Sequence, residues 1–121
     1  MIMNKASTAL AALFLVTAAR LASAHATLLD STPKNGETVA APLAEMRLKY
    51  NEPLETGFSQ VRLFGPDGKP VSVGKLRAVD GEAGTVLLPL PGLAPGAYKA
   101  QWSAMGRDGH RTKGELGFTV K

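Results

Sequence analysis

The residues best suited to bind a ligand are the two histidines of the chain, His25 and His110, and an aspartate near the second of them. In an extended backbone, residues two apart project from one face, so Asp108 and His110 would present a carboxylate and an imidazole together. Gly109 lets the backbone between them bend without a Cβ in the way. Both groups are common ligands of divalent transition metals. The pattern therefore indicates a metal site, although an ordinary Asp-Gly turn with a solvated histidine has the same local sequence.

His25 follows a segment with the features of a secretory signal peptide. Residues 1–5 carry one positive charge, residues 6–19 are apolar except for Ser and Thr, and Ala22-Ser23-Ala24 has the small-x-small pattern that signal peptidase accepts. The apolar stretch is shorter than the roughly 20 residues that cross a bilayer comfortably. We therefore predict a cleaved signal peptide over residues 1–24, export of the protein, and a mature chain that begins at His25.

An amino-terminal histidine offers two nitrogens to one metal ion, the α-amine and the imidazole Nδ1, which together close a chelate ring. Their ordinary pKa values are about 7.7–8.0 and about 6.5, so both groups lose a proton readily when a metal competes. In the precursor the same backbone nitrogen is an amide, which binds metals poorly. With Asp108 and His110 the donor set becomes three nitrogens and one oxygen. That set suits tetragonal Cu(II), which also stands highest in affinity among divalent first-row ions.

Composition excludes several other classes of protein. Removing residues 1–24 from the 121 residues leaves 97, enough for one domain. The removed segment contains Lys5 and Arg20 and no acidic residue, so the net charge falls from +4 to +2, too little to indicate nucleic-acid binding. The absence of cysteine excludes disulfides and thiolate zinc sites. No second apolar segment approaches membrane length, so we predict no stable membrane insertion after cleavage.

The elements that must position these residues are predicted to be short β-strands. In residues 44–50, Met46, Leu48 and Tyr50 alternate with charged residues at a period of two. Similar short runs between turn residues occur at residues 26–30, 58–64, 71–79, 85–90, 97–105 and 115–120. The run 71–79 is weaker and is compatible with one or two short strands around Gly74. About seven short strands separated by Gly/Pro turns, with no helical periodicity, predict an all-β antiparallel sandwich or barrel.

The predicted strand that contains Trp102 supports the sandwich. It begins at Pro95-Gly96 and continues through Tyr98, an arrangement typical of the tyrosine corner of immunoglobulin-like sandwiches. We expect Leu48, Val61, Trp102 and Phe118 to share one core.

From His25 to Lys121 the chain resembles the CopC family of bacterial periplasmic copper-binding proteins. The residues that carry the resemblance are His25-Ala26, Ser31-x-Pro33 with Gly36, Asn51-Glu52-Pro53-Leu54, Leu93-x-Pro95-Gly96-x-Tyr98 with Trp102, and Asp108-Gly109-His110 followed by Gly114 and Phe118-x-Val120. The resemblance implies a Greek-key β-sandwich over residues 25–121 that binds Cu(II) through the His25 amine and ring, Asp108 and His110. It also implies that Glu52 lies near the metal and interacts with the ligating groups without binding the ion itself.

The chain departs from family members that have a second site. Those members carry a methionine-rich segment, usually with a histidine, whose soft thioethers bind Cu(I). The matching residues 64–76 contain neither methionine nor histidine. Met46 falls on the apolar face of its predicted strand and Met105 is a single thioether at a strand end, a placement more typical of packing. We therefore expect a protein of the Cu(II)-only type.

The resemblance implies a monomeric periplasmic carrier or buffer of Cu(II) in copper homeostasis or resistance, without catalysis, that delivers copper to a CopD-like protein of the inner membrane. One alternative is a redox enzyme like the lytic polysaccharide monooxygenases, which also hold copper with an amino-terminal and a second histidine. Those enzymes need an exposed aromatic platform and an open coordination position, whereas Trp102 is predicted to face inward and Asp108 would occupy a position. A further alternative is a sandwich that binds only a protein partner, and metal titration distinguishes it from the other two.

Overall fold

The computed structural model describes residues 25–121, and the predicted signal peptide over residues 1–24 lies outside this part of the chain. Nine strands and one short 3-10 helix, Thr56–Phe58, form the described part. The strands are β1 (Leu28–Thr32), β2 (Glu37–Val39), β3 (Glu45–Tyr50), β4 (Gln60–Phe64), β5 (Pro70–Val71), β6 (Arg77–Val79), β7 (Glu82–Pro89), β8 (Gly96–Met105) and β9 (Arg111–Val120). Between residues 25 and 121 there is no helix long and apolar enough to cross a membrane.

The strands form two sheets that enclose one core. The four-stranded sheet has the order β1-β3-β7-β6 and the five-stranded sheet the order β2-β9-β8-β4-β5. Consecutive strands pair in β4–β5, β6–β7 and β8–β9, whereas other neighbours, such as β4 and β8, come from distant parts of the sequence, as in a Greek-key arrangement. The prediction of an all-β, immunoglobulin-like sandwich is therefore confirmed.

Two details of the prediction need correction. The sheets are not entirely antiparallel, because β2 pairs with β9 in parallel. There are nine strands in the described residues rather than about seven, because the predicted run 71–79 is divided between β5 and β6 and because β2 was not predicted. β2 has three residues, too few to show the alternation of apolar and polar side chains that identifies a strand in the sequence. β2 is held beside β9 by the preceding turn, where the Gly36 amide donates to the Gly117 carbonyl at 2.7 Å and the Asn35 side chain accepts from the Gly117 amide at 2.8 Å.

The core lies between the inner faces of the two sheets, as the alternation predicts. Leu48, Val61 and Phe118 are buried in one cluster, and Trp102 is partly buried and packs against it. The Trp102 indole meets the Tyr50 ring edge to face, with ring centroids 5.4 Å apart. The predicted core group is thus confirmed, with Trp102 at its margin.

The tyrosine corner is also present at the start of β8. The Tyr98 hydroxyl donates a hydrogen bond of 2.7 Å to the Ala94 carbonyl, four residues upstream. This bond fixes the entry into β8, the strand whose other end leads to Asp108 and His110.

Gly114 provides a test of how β8 and β9 pack. A Cβ at Gly114, which pairs with Trp102, would overlap the indole ring, whereas a Cβ at Gly117 would meet its nearest neighbour, the Tyr98 carbonyl oxygen, at an ordinary 3.5 Å. Because overpacking displaces side chains, we expect Gly114→Ala to lower the free energy of unfolding by about 1–3 kcal/mol. The matched variant Gly117→Ala should change it by less than about 0.5 kcal/mol. Urea denaturation measures both, and equal effects would contradict the described packing.

Candidate metal centre

The candidate ligands meet at one end of the sandwich, where the loop between β8 and β9 lies beside the segment that precedes β1. The imidazole rings of His25 and His110 have centroids 4.7 Å apart and an interplanar angle of 77°. One ligand atom each from His25, Asp108 and His110 lies within 4.8 Å of the other two, and all three residues are exposed. The structure thus brings together the three residues selected from the sequence, and their binding of a metal stays a prediction.

A tight turn, rather than an extended segment, places Asp108 beside His110. The Gly109 amide donates to the Gly106 carbonyl and the Gly106 amide to the His110 carbonyl, both at 3.1 Å. Gly109 has a φ of 82°, in the left-handed region that glycine adopts without a Cβ penalty. The turn ends with the His110 amide donating to Asp108 Oδ1 at 3.0 Å. The expectation that both side chains share one face of an extended backbone is therefore replaced by a hairpin loop with the same juxtaposition.

The contact between the two side chains sets their electrostatics. His110 Nδ1 lies 2.9 Å from Asp108 Oδ2. This hydrogen bond, followed by the one from the His110 amide, lowers the pKa of the Asp108 carboxyl below its ordinary value. The pair's contribution to stability is therefore present above the ordinary carboxyl pKa and is lost as the pH falls through the lowered one.

His25 is held at this end although it precedes the first strand. Ala26 is 1% exposed, and its carbonyl accepts a hydrogen bond of 2.7 Å from the Thr112 hydroxyl on β9. Asn51, directly after β3, accepts from the Thr27 amide at 2.8 Å and donates through its side chain to the His25 carbonyl at 3.3 Å. No local sequence pattern marks Thr112 as a contributor, and Asn51 is marked only by the resemblance to the family. These contacts fix the backbone on which the His25 ring is mounted.

Glu52 also lies at this end. Its Oε1 atom is buried and has no hydrogen-bond partner among the residues that the structure describes. A Cβ at Gly106 would overlap that oxygen and would come within 3.0 Å of Asp108 Oδ1, so both carboxylates border the space beside the Gly106 Cα. An unpaired buried polar atom is costly. Its position beside the cluster is therefore a sign that a donor belongs there.

The methionines and the Tyr50 phenol are poor ligand candidates. Met46 is 0% exposed in the core, and Met105 is half-buried at the end of β8. Burial raises the pKa of the Tyr50 phenol well above its ordinary value, so this group stays neutral and does not supply a phenolate.

A two-sheet immunoglobulin-like sandwich with an exposed His/Asp cluster at one end is the architecture of a small metal-binding domain, and comparison with known proteins identifies its family. Residues 28–121 match the family model of the CopC domain. The copper resistance protein C of Pseudomonas syringae pv. tomato is 37% identical over 129 residues, covering all of both chains. The copper transport protein CutJ of Bacillus subtilis is 31% identical over 110 residues, which cover 89% of this chain and 20% of that protein.

A solved structure agrees. The crystal structure of CopC from Methylosinus trichosporium OB3b superposes with a TM-score of 0.75 at 28% identity, covering 80% of this chain and 94% of that one. The chain therefore belongs to the CopC family. Membership identifies copper as the metal that the cluster is expected to bind.

Proposed function

We propose that residues 1–24 are removed as a signal peptide and that the mature protein is a periplasmic carrier or buffer of Cu(II), without catalytic activity. The observation that carries the proposal is the convergence of His25, Asp108 and His110, with ligand atoms within 4.8 Å of one another. His25 lies about eighty residues from Asp108 and His110 in the sequence. The contacts of Ala26 and Asn51 hold His25 at the cluster, so the convergence is built into the fold.

The proposed donor set fits Cu(II). Cleavage before His25 would convert its backbone nitrogen into an amine, which adds to the His25 ring, the His110 ring and the Asp108 carboxylate. Three nitrogens and one oxygen suit a tetragonal ion. We assign Glu52 to hydrogen bonding with the bound ligands rather than to the ion itself. The unpaired Oε1 supports this role, because N–H groups of the new amine or a water on the metal would provide the missing donor.

The site favours a carrier over a redox enzyme. Tyr50 and Tyr98 are buried and Trp102 is partly buried, so these side chains form no platform for a polymeric substrate. Among the described residues Phe58 is the exposed aromatic side chain, and one ring does not make a platform. Asp108 would also occupy a coordination position that oxygen chemistry requires to be open. These features match storage and transfer of an ion.

Copper titration tests the proposed function. The mature chain, produced so that it begins at His25, should bind one equivalent of Cu(II) in competition with a chelator of known affinity. In the presence of ascorbate and a polysaccharide it should consume no more oxygen than free chelated copper. Absence of stoichiometric binding would exclude the carrier, and rapid oxygen consumption would favour the enzyme.

The same proposal extends to the Cu(I) state and to the receiving protein. Residues 25–121 contain only Met46 and Met105 as thioethers, which form no cluster at the site, so the mature protein should hold Cu(I) poorly. We propose a CopD-like membrane protein as recipient. The match of this chain to one fifth of a copper transport protein supports that choice, because there a domain of this kind belongs to a longer chain.

The Cu(II) affinity should depend on pH in a defined direction. The nitrogen ligands must be deprotonated to bind, so protons compete with the metal as the pH falls. The lowered pKa of Asp108 keeps its carboxylate ionised, so the loss of affinity comes from the nitrogens. Between pH 8 and pH 5 the affinity should fall by on the order of a hundredfold or more. Competition titrations at several pH values measure this fall, and a flat profile would mean that the nitrogens are not ligands.

A further inference from the structure

The outer face of the five-stranded sheet carries a groove that the metal centre does not use. Its volume is about 720 Å³, and it crosses β4, β8 and β9 next to the 3-10 helix. Among the side chains that line it are Phe58, Gln60, Arg62, Gln101, Arg111 and Lys113, and Glu115 is its one acidic lining residue. We refer to it as the basic groove.

The basic groove carries an excess of positive charge, because three cationic side chains and one carboxylate line it. Arg62, Arg111 and Lys113 form no ion pair with any carboxylate of residues 25–121, whereas Lys99 at the edge of the same face pairs with Glu115 at 3.9 Å. Arg62 and Arg111 each contact a neutral group in place of a carboxylate. Arg111 donates to the Ser103 hydroxyl at 2.6 Å, and the Arg62 guanidinium carbon lies 5.3 Å from the centre of the Phe64 ring. The arginines are thus partly ordered in advance, which reduces the entropy lost when they bind an anion.

An exposed aromatic ring lies beside these charges. Phe58 is 67% exposed. The 3-10 helix that carries it is attached to the end of β8, since the Glu55 amide donates to the Met105 carbonyl at 2.9 Å and the Ser59 hydroxyl accepts from the Met105 amide at 2.9 Å. An aromatic residue and arginines grouped on one surface are the residue types that most often dominate binding energy at protein interfaces.

The basic groove reaches the metal centre. Arg111 directly follows His110, and its pairing partner Met105 is the last residue of β8 before the loop that contains Asp108. A polypeptide lying in the groove would therefore extend to the edge of the His25–His110 cluster without passing around the sandwich.

We propose that the basic groove is the docking surface for an acidic, extended segment of the protein that exchanges copper with this one. The assignment of copper exchange rests on the proposed function, whereas the docking itself requires no metal. The positive charge of the groove favours a partner with carboxylate side chains. Phe58 can pack against one apolar side chain of that partner. The Gln60 and Gln101 amides can form hydrogen bonds with its backbone. A flat anionic bilayer would not reach the floor of a groove, which favours a polypeptide over a membrane.

A synthetic peptide tests this assignment on the mature chain with and without Cu(II). The probe is a fluorescently labelled dodecapeptide of Asp, Glu and Gly with one central Leu, and its binding site is mapped by amide chemical shifts. We expect the shifted amides to lie on β4, β8 and β9 and the affinity to fall with added salt, because salt screens exposed charges. No binding at low salt, or shifts spread over the four-stranded sheet, would overturn the assignment.

Matched variants separate docking from general charge attraction. Arg62→Gln with Lys113→Gln should weaken peptide binding by about tenfold or more. Lys49→Gln with Arg77→Gln removes the same charge from exposed positions on the other sheet and should weaken it less than about twofold. Phe58→Ser should weaken binding without any change in charge. Equal losses in the two double variants, or no effect of Phe58→Ser, would contradict a specific groove.

Two further measurements distinguish the remaining outcomes. Cu(II) titration of the double variants should give the affinity of the unmodified mature chain, because neither pair includes a proposed ligand. If the mature chain fails to bind Cu(II) but the peptide still docks, the proposed function is wrong and the docking surface stands. If phosphatidylglycerol vesicles bind through Arg62 and Lys113 while the peptide does not, the groove is a membrane contact and the proposal is wrong.

Discussion

A chain that carries one extra alanine before His25 should bind Cu(II) about a hundredfold or more weakly than a chain that begins at His25. The extension converts the His25 amine into a planar amide whose lone pair is delocalised into the carbonyl. The site then loses one of its four proposed donors and its chelate ring, while every side chain stays the same. Competition titration of the two chains with Cu(II) measures the difference.

The extension should leave the metal-free protein unchanged. The contacts that hold the segment begin at the His25 carbonyl and the Ala26 carbonyl, on the far side of the altered nitrogen. The apo melting temperature should therefore barely move. A chain with one extra alanine after Lys121 is the matched control and should bind Cu(II) normally. If the amino-terminal extension binds as tightly as the mature form, the His25 amine is not a ligand.

Replacing His110 by alanine should weaken Cu(II) binding by a comparable amount. The substitution removes one imidazole and also the hydrogen bond that orients Asp108, since the His110 Nδ1 lies 2.9 Å from its carboxylate. Without that partner the pKa of Asp108 should rise toward its ordinary value, which carboxyl chemical shifts can follow. The apo protein should lose little stability because His110 is exposed.

Glu52→Gln is the informative comparison for His110→Ala. The glutamine keeps the size of the side chain at the partly buried position beside Gly106 and removes only the charge. We expect a smaller loss of Cu(II) affinity than for His110→Ala, because Glu52 is assigned to hydrogen bonding rather than to the metal. A loss as large as that of His110→Ala would make Glu52 a ligand. Normal binding by His110→Ala would remove His110 from the donor set.

Much of the sandwich is predictable from local sequence because its strands are half buried. Along β3 the sequence alternates between core residues such as Met46 and Leu48 and charged residues, and the structure buries the first set. The same reasoning applies to β4 and β8. Side-chain alternation reports burial directly, so it identifies strands that are long enough to show it. β2 is too short, and it depends on contacts of Asn35 and Gly36 with Gly117, which lies about eighty residues away in the sequence.

The candidate site was only partly predictable, because the approach of its residues depends on contacts between distant parts of the chain. The residue types of His25, Asp108 and His110 indicate a metal, and the structure places them together. Their approach depends on tertiary contacts, above all the Thr112 hydroxyl on the Ala26 carbonyl, and no local pattern reveals such a bond. The conformation of the Asp108 turn likewise depends on the hairpin pairing of β8 and β9. The unpaired oxygen of Glu52 is visible only once the strands are assembled.

Electron paramagnetic resonance of the mature chain loaded with one equivalent of Cu(II) tests the central claim most directly. We expect a tetragonal Cu(II) spectrum with superhyperfine splitting from three nitrogens, to which the oxygen donor adds none because its common isotope has no nuclear spin. Labelling the histidines with ¹⁵N should alter the couplings of both imidazoles and of the amine, while the one-alanine extension should remove the contribution of the amine. A spectrum with oxygen donors only, or one that the extension leaves unchanged, would contradict the proposed copper site.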